Sequence, residues 1–141
     1  MIKVTSFGLS QEPYFRDLLK RISVLLPFQW NEIQIKRHPE TRPSSPLLEE
    51  QKFLKSNSSF VLLDSKGKKL SDDEFYDFCF SKSERHFVVG PSFGFHSSFY
   101  EKMETSLSLS SLTLTHGLAQ LVLAESLYRV ACRLKNHPFV K

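Results

Sequence analysis

Residues 107–114 of this 141-residue chain read Leu-Ser-Leu-Ser-Ser-Leu-Thr-Leu, so leucines are interleaved with hydroxyl side chains. A segment of that kind can line an apolar slot while its small polar residues let main-chain groups come close to a ligand. Three further segments carry possible chemistry: Val61-Leu62-Leu63-Asp64 with Gly67-Lys68, Phe87-Val88-Val89-Gly90 with Gly94-Phe95, and Glu125-Ser126-Leu127-Tyr128-Arg129. A glycine at a strand end, such as Gly90, lets the backbone approach a ligand with no Cβ in the way. Glu125 and Arg129 stand one helical turn apart, where an intrahelical ion pair is the default. Asp64 reads as a turn initiator rather than a base, and His116 as a capping or packing residue.

The usual nucleotide signatures are absent from the sequence. Gly90-Pro91-Ser92-Phe93-Gly94 follows a strand but is not G-x-G-x-x-G, and no G-x-x-x-x-G-K-[ST] occurs, so a dinucleotide fingerprint and a P-loop are both disfavoured. No His/Cys group has zinc spacing, and no metal is expected. The acidic run Asp72-Asp73-Glu74 follows Ser71 as a capping box, a helix start rather than a catalytic carboxylate cluster.

Together, in this order, the four segments resemble the SPOUT-class RNA methyltransferases, and among them the ribosomal large-subunit pseudouridine N3-methyltransferases, the RlmH family. The resemblance covers the whole chain and is motif-specific from about residue 60 to 138. It implies an α/β-knot fold with a deep trefoil knot, a homodimer, S-adenosylmethionine bound in a bent shape, and methyl transfer to N3 of a pseudouridine of 23S rRNA on the assembled ribosome. The implied cofactor positions are Leu63, Gly90, Leu109, Ser110, Ser111, Leu112, Thr113 and Leu114. Arg129 falls at a position implied to face the RNA, where a guanidinium can bind a phosphate or the uracil oxygens in bidentate fashion, and His137 is expected to contact the RNA as well. The implied reaction is an in-line displacement at the sulfonium methyl, assisted by positioning in a dry slot. Alternatives are a related enzyme acting on another RNA such as tRNA, or a ribosome- or RNA-binding knot protein that has lost catalysis. The second draws on departures from the family pattern. Pro91 replaces a glycine and removes an amide donor. Thr115-His116 stands for Pro-His, Gln120 for an arginine, and Phe139-Val140 for a tail Tyr-His.

Composition bounds the class. At 40% hydrophobic and 24% charged residues, the chain has the make-up of an ordinary globular domain, expected here as one domain over residues 1–141 with the cofactor site within about 60–141. No apolar run reaches the roughly 18 residues needed to span a bilayer. The first residues lack a secretory pattern, and Cys79 and Cys132 form no close pair, so a cytoplasmic protein with reduced, buried thiols is expected. The net charge of +4 is modest, but basic residues cluster at Lys36-Arg37-His38 with Arg42, at Lys66-Lys68-Lys69 and from Arg129 to Lys141. Such clusters suit a polyanion and equally a solvated rim.

The elements that must position these residues alternate between strand and helix. Strands are expected at 2–7, 32–36, 60–63, 86–90 and 107–109. Helices are expected at 11–26, 47–54, from Ser71, at 97–104, and from Gly117 to Asn136. That alternation predicts an α/β fold with a mostly parallel sheet and helices on both faces. The last helix carries Leu118, Leu121, Val122, Leu123, Ala124, Leu127, Val130 and Ala131 and is apolar nearly all round. It must be covered on more than one side, and a second subunit would supply cover.

Overall fold

The computed structural model describes residues 1–8, 13–36 and 39–136. The expected strand–helix alternation is present: β1 (Ile2–Phe7), α1 (Pro13–Ser23), β2 (Gln29–Ile33), α2 (Leu48–Ser56), β3 (Val61–Lys69), α3 (Asp72–Phe80), β4 (Arg85–Val89), α4 (Ser97–Lys102), β5 (Thr105–Ser108) and α5 (His116–Leu134). The five strands form one sheet in the order β2-β1-β4-β3-β5, and every pairing is parallel.

Period-two alternation divides the core between the two sheet faces. Ile2, Val4, Val61, Phe87, Val89 and Leu107 point to one side and meet Leu123, Leu127 and Val130 of α5. Phe7, Leu62 and Val88 point to the other and meet Phe53, Phe60 and Phe99. The phenylalanine excess is spent on this second face, where Phe99 packs against Phe7, Phe53 and Phe60 with ring centroids 5.6–6.0 Å apart. The capping box of α3 forms as expected: Ser71 Oγ accepts from the Glu74 amide, and the Glu74 carboxylate accepts from the Ser71 amide at 2.8 Å.

Several boundaries differ from the sequence expectation, β5 among them at Thr105–Ser108 rather than 107–109. β2 runs over Gln29–Ile33 rather than 32–36. α1 ends at Ser23, leaving Val24 and Leu25 exposed in a turn instead of on the helix's buried stripe. Residues 64–67, expected as a turn, lie within β3, which shifts register there. Leu107 is the partner of both Leu63 and Lys68, so the intervening residues bow out around the β5 backbone. At Gly67 the approach leaves no room for a side chain, since a Cβ would come within 2.7 Å of Leu107 and Ser106 main-chain atoms.

One buried polar pair makes the fold acid-sensitive. His86 of β4 sits 2.7 Å from Thr5 Oγ1, and burial, with the nearby Lys3 charge, pushes its pKa down from 6.5 to about 4. The unfolded chain takes up this proton near pH 6.5 and the folded chain only near 4, so stability is lost as the pH falls through that window. In urea denaturation, His86→Gln should therefore lose less stability than the unaltered chain between those pH values. Parallel curves would remove His86 from the acid response.

Candidate functional site

The carboxyl ends of parallel strands are where open α/β sheets bind ligands. A cavity of about 280 Å³ opens there, at the ends of β3, β4 and β5. Leu63, Gly90, Leu109, Ser110, Leu112, Thr113 and Leu114 all line it, although they come from three separate strand ends. Ser111 does not line the cavity; it is exposed on the connecting loop. The remaining wall includes Val89 and Phe95, both within the motif segments quoted from the sequence, and Tyr100 of α4, which the sequence did not single out.

Hydroxyl groups give the 108–115 loop its shape. Ser108 Oγ donates to the Ser110 carbonyl at 2.8 Å, and Ser110 Oγ accepts from the Leu112 amide at 2.9 Å. Thr115 then caps α5 by accepting from the Leu118 amide. The hydroxyls of the alternating pattern thus brace the loop, while the leucines are left to face a ligand. Leu112 is 77% exposed while lining the cavity, an apolar side chain that gains cover only when the cleft is filled.

Gly90 has a different neighbour from the one expected. A Cβ there would lie 2.8 Å from the Phe95 ring, so the glycine seats that ring against the strand end. Pro91 is buried, and its carbonyl accepts from the Gly94 amide at 2.9 Å, closing a turn with Gly94 at φ 87°.

Asp64 is held at the cavity edge by two donors. The Tyr100 hydroxyl gives a 2.6 Å bond to Oδ2, and the Lys66 amide a 3.0 Å bond to Oδ1. Burial, then the bond to Asp64 and its charge, pushes the Tyr100 phenol up to about 12, so it stays neutral. Asp64 is therefore a brace for the β3 bulge, in keeping with its reading as a turn residue. His116 at the start of α5 reaches the Gly8 carbonyl at 3.3 Å, a packing role.

Arg129 lies elsewhere. It lines a separate groove of about 670 Å³ between the start of α3 and α5, and its Nε donates to Glu125 Oε1 at 2.6 Å. The two cavities share Ser108 and Leu109, so the end of β5 is a common wall. His137, the other residue expected to face RNA, lies outside the described residues. The basic clusters are partly neutralised within the chain: Arg42 pairs with Glu50 and Arg133 with Asp73, each at 2.7 Å. Lys66, Lys68 and Lys69 remain exposed. Among the described residues no group of three or more His, Cys, Asp or Glu side chains could hold a metal ion, and no helix is long and apolar enough to cross a membrane.

A parallel α/β sheet with a cleft at its strand ends, walled by a leucine-rich loop, defines a candidate small-molecule site. Residues 1–139 match the family described as "Predicted SPOUT methyltransferase". The chain belongs to the SPOUT methyltransferase family, in its RlmH branch. The "Ribosomal RNA large subunit methyltransferase H" of Thermodesulfovibrio yellowstonii is 38% identical over 110 residues, covering 77% of this chain and 75% of that protein. The protein of the same name from Campylobacter lari is 40% identical over 81 residues, 57% of this chain and 54% of its own length. This chain thus spans about half the length of that relative. A solved structure described as an RNA methyltransferase of Bacillus anthracis aligns over 100% of this chain and 98% of its own, with TM-score 0.56 and 15% identity, a likeness of fold.

Proposed function

We propose that this protein is an S-adenosylmethionine-dependent methyltransferase that modifies N3 of a pseudouridine in 23S rRNA on the assembled ribosome. The observation that carries the reading is the convergence of Leu63, Gly90 and the 109–114 loop, distant in sequence, on one cleft. Its volume of about 280 Å³ falls just below the usual range of ligand sites, about 300–1,000 Å³. Leu63, Val89, Leu109 and Leu114 supply apolar walls, Leu112 a flap, and the loop's main chain the groups to read a base edge. The bound cofactor would supply an electrophilic sulfonium methyl. The chain's part is to orient that methyl and exclude water around it.

The trefoil threading is what membership of the family implies. A homodimer draws support from Tyr14 and Leu18 on α1 and Leu118 on α5, large apolar side chains left exposed on two helices that pack together. A ribosomal substrate would place the protein in the cytoplasm.

One observation favours a second reading, a ribosome- or RNA-binding protein without catalysis. Gln120, where the family carries an arginine, is buried and donates to Ser6 Oγ at 2.6 Å, so it offers no cation to a substrate. Calorimetry separates the two. Micromolar binding of S-adenosylmethionine is expected, and no measurable heat would favour the non-enzymatic reading. A subunit of this size offers little surface for RNA, so methylation of assembled large subunits or ribosomes should exceed that of a short synthetic hairpin by at least tenfold. Equal rates would contradict the ribosomal substrate, and modification of tRNA instead would identify the related enzyme.

A further inference from the structure

Pro91, Ser92, Gly94 and Phe95 close one side of the cleft, on a segment with no helix or strand hydrogen bonding to hold it. Two contacts from the proline-rich loop ahead of α2 tie this segment down. Arg42 Nη1 donates to the Gly94 carbonyl at 3.1 Å, and His96 Nε2 lies 2.8 Å from the Ser44 carbonyl oxygen. The same guanidinium sends both terminal nitrogens to the Glu50 carboxylate at 2.7 Å and lies 4.8 Å from the centroid of the Phe93 ring. Glu50 is fully buried, and its Oε1 also accepts from the Leu47 amide at 2.7 Å.

A carboxylate out of water needs a partner, and a bidentate fork fixes the guanidinium plane. With that plane fixed by α2, the third contact reaches the Gly94 carbonyl. Gly94 has φ 87°; its amide is held by the turn bond to the Pro91 carbonyl, and its own carbonyl accepts from Arg42. Phe95 follows directly, and its ring fills the space beside Gly90.

We infer that Arg42 is a positioning residue for the methyl-donor pocket, clamping the 91–96 wall onto buried Glu50 so that Phe95 stands where the donor must pack. The inference rests on the cofactor reading above. Arg42→Ala alone would strand a buried charge and unfold part of the chain for a trivial reason. The informative variant is Arg42→Met/Glu50→Gln, which removes the charge pair and keeps an acceptor for the Leu47 amide. Its thermal midpoint should stay near that of the unaltered chain. Its affinity for S-adenosylhomocysteine by calorimetry should fall at least tenfold, and amide exchange over 92–95 should quicken by a similar factor. Arg42→Lys keeps a cation beside Glu50 but loses the fork. It should show the same two changes and serves if the double variant does not fold.

A folded variant with unchanged affinity and unchanged exchange would overturn the clamp and leave an ordinary ion pair. If the unaltered chain takes up no S-adenosylhomocysteine, the pocket assignment falls and this role with it. Exchange at 92–95 still reports separately whether the segment is clamped.

Discussion

Gly67→Ala is expected to destabilise the chain by about 3 kcal/mol, the upper part of the range for overpacking a filled interior. The added methyl would meet three main-chain atoms of Ser106 and Leu107, each at 2.7 Å, rather than the yielding end of a side chain. Relief therefore requires the β3 bulge or the β5 strand to move. Neither is free to do so, because Leu107 pairs with Leu63 on one side and Lys68 on the other. The thermal midpoint should drop by roughly 10 °C. Affinity for the methyl donor should fall with it, since Ser108 and Leu109 continue from this contact into the cleft. Gly94→Ala is the control. It meets no atom within 4 Å but sits at φ 87°, so it bears only the left-handed backbone cost, about 1–2 kcal/mol. A Gly67→Ala midpoint within about 2 °C of the parent would show that the bulge yields easily and that β5 does not depend on so close an approach.

The same bulge shows where the sequence was legible and where it was silent. Val61, Leu62 and Leu63 announced a buried strand because their side chains fill both faces. In the continuation, Asp64-Ser65-Lys66-Gly67-Lys68-Lys69, only Lys68 and Lys69 pair with β5 and most side chains face water, so hydropathy reads it as a turn. β2 was misplaced for a related reason. It is an edge strand with no fully buried residue, which leaves no alternation to set its limits. The overlong α1 came from counting Val24 and Leu25 as core. Both lie exposed past the helix end, as do Tyr14 and Leu18 within it, which suits a surface awaiting a partner rather than an internal stripe.

The 108–115 loop was legible because leucine and hydroxyl residues have separate tasks there: the hydroxyls brace the loop and the leucines line the cleft. The clamp that steadies the opposite wall was not. Arg42 and Glu50 lie eight residues apart across an irregular proline-rich stretch, and only the folded chain brings them to Gly94. At Gly90 the missing Cβ has a structural use, because the Phe95 ring occupies that space. A ligand and an aromatic ring both demand a missing Cβ, and no sequence pattern tells one from the other.

Arg129→Ala should lower methyl transfer to ribosomes by at least about a hundredfold, the scale expected when a cation aimed at a reacting group is lost, and leave donor affinity unchanged. Arg129 lies across β5 from the cleft proposed for the methyl donor, in a separate groove, and Ser108 and Leu109 line both spaces. A base entering that groove would meet the transferable methyl at the end of β5, with the guanidinium beside it. Its bond to Glu125 joins two half-exposed groups in an i,i+4 pair, an arrangement that adds little to stability. The thermal midpoint should accordingly stay close to that of the parent, which separates a loss of chemistry from a loss of fold. Glu125→Gln sharpens the reading. If Glu125 only parks the guanidinium, that variant keeps its turnover; if it orients Arg129 toward RNA, turnover drops there as well. Single-turnover transfer of a labelled methyl group to purified ribosomes is the measurement. An Arg129→Ala protein that transfers at the parental rate would show that the groove beyond β5 is not where the substrate base arrives.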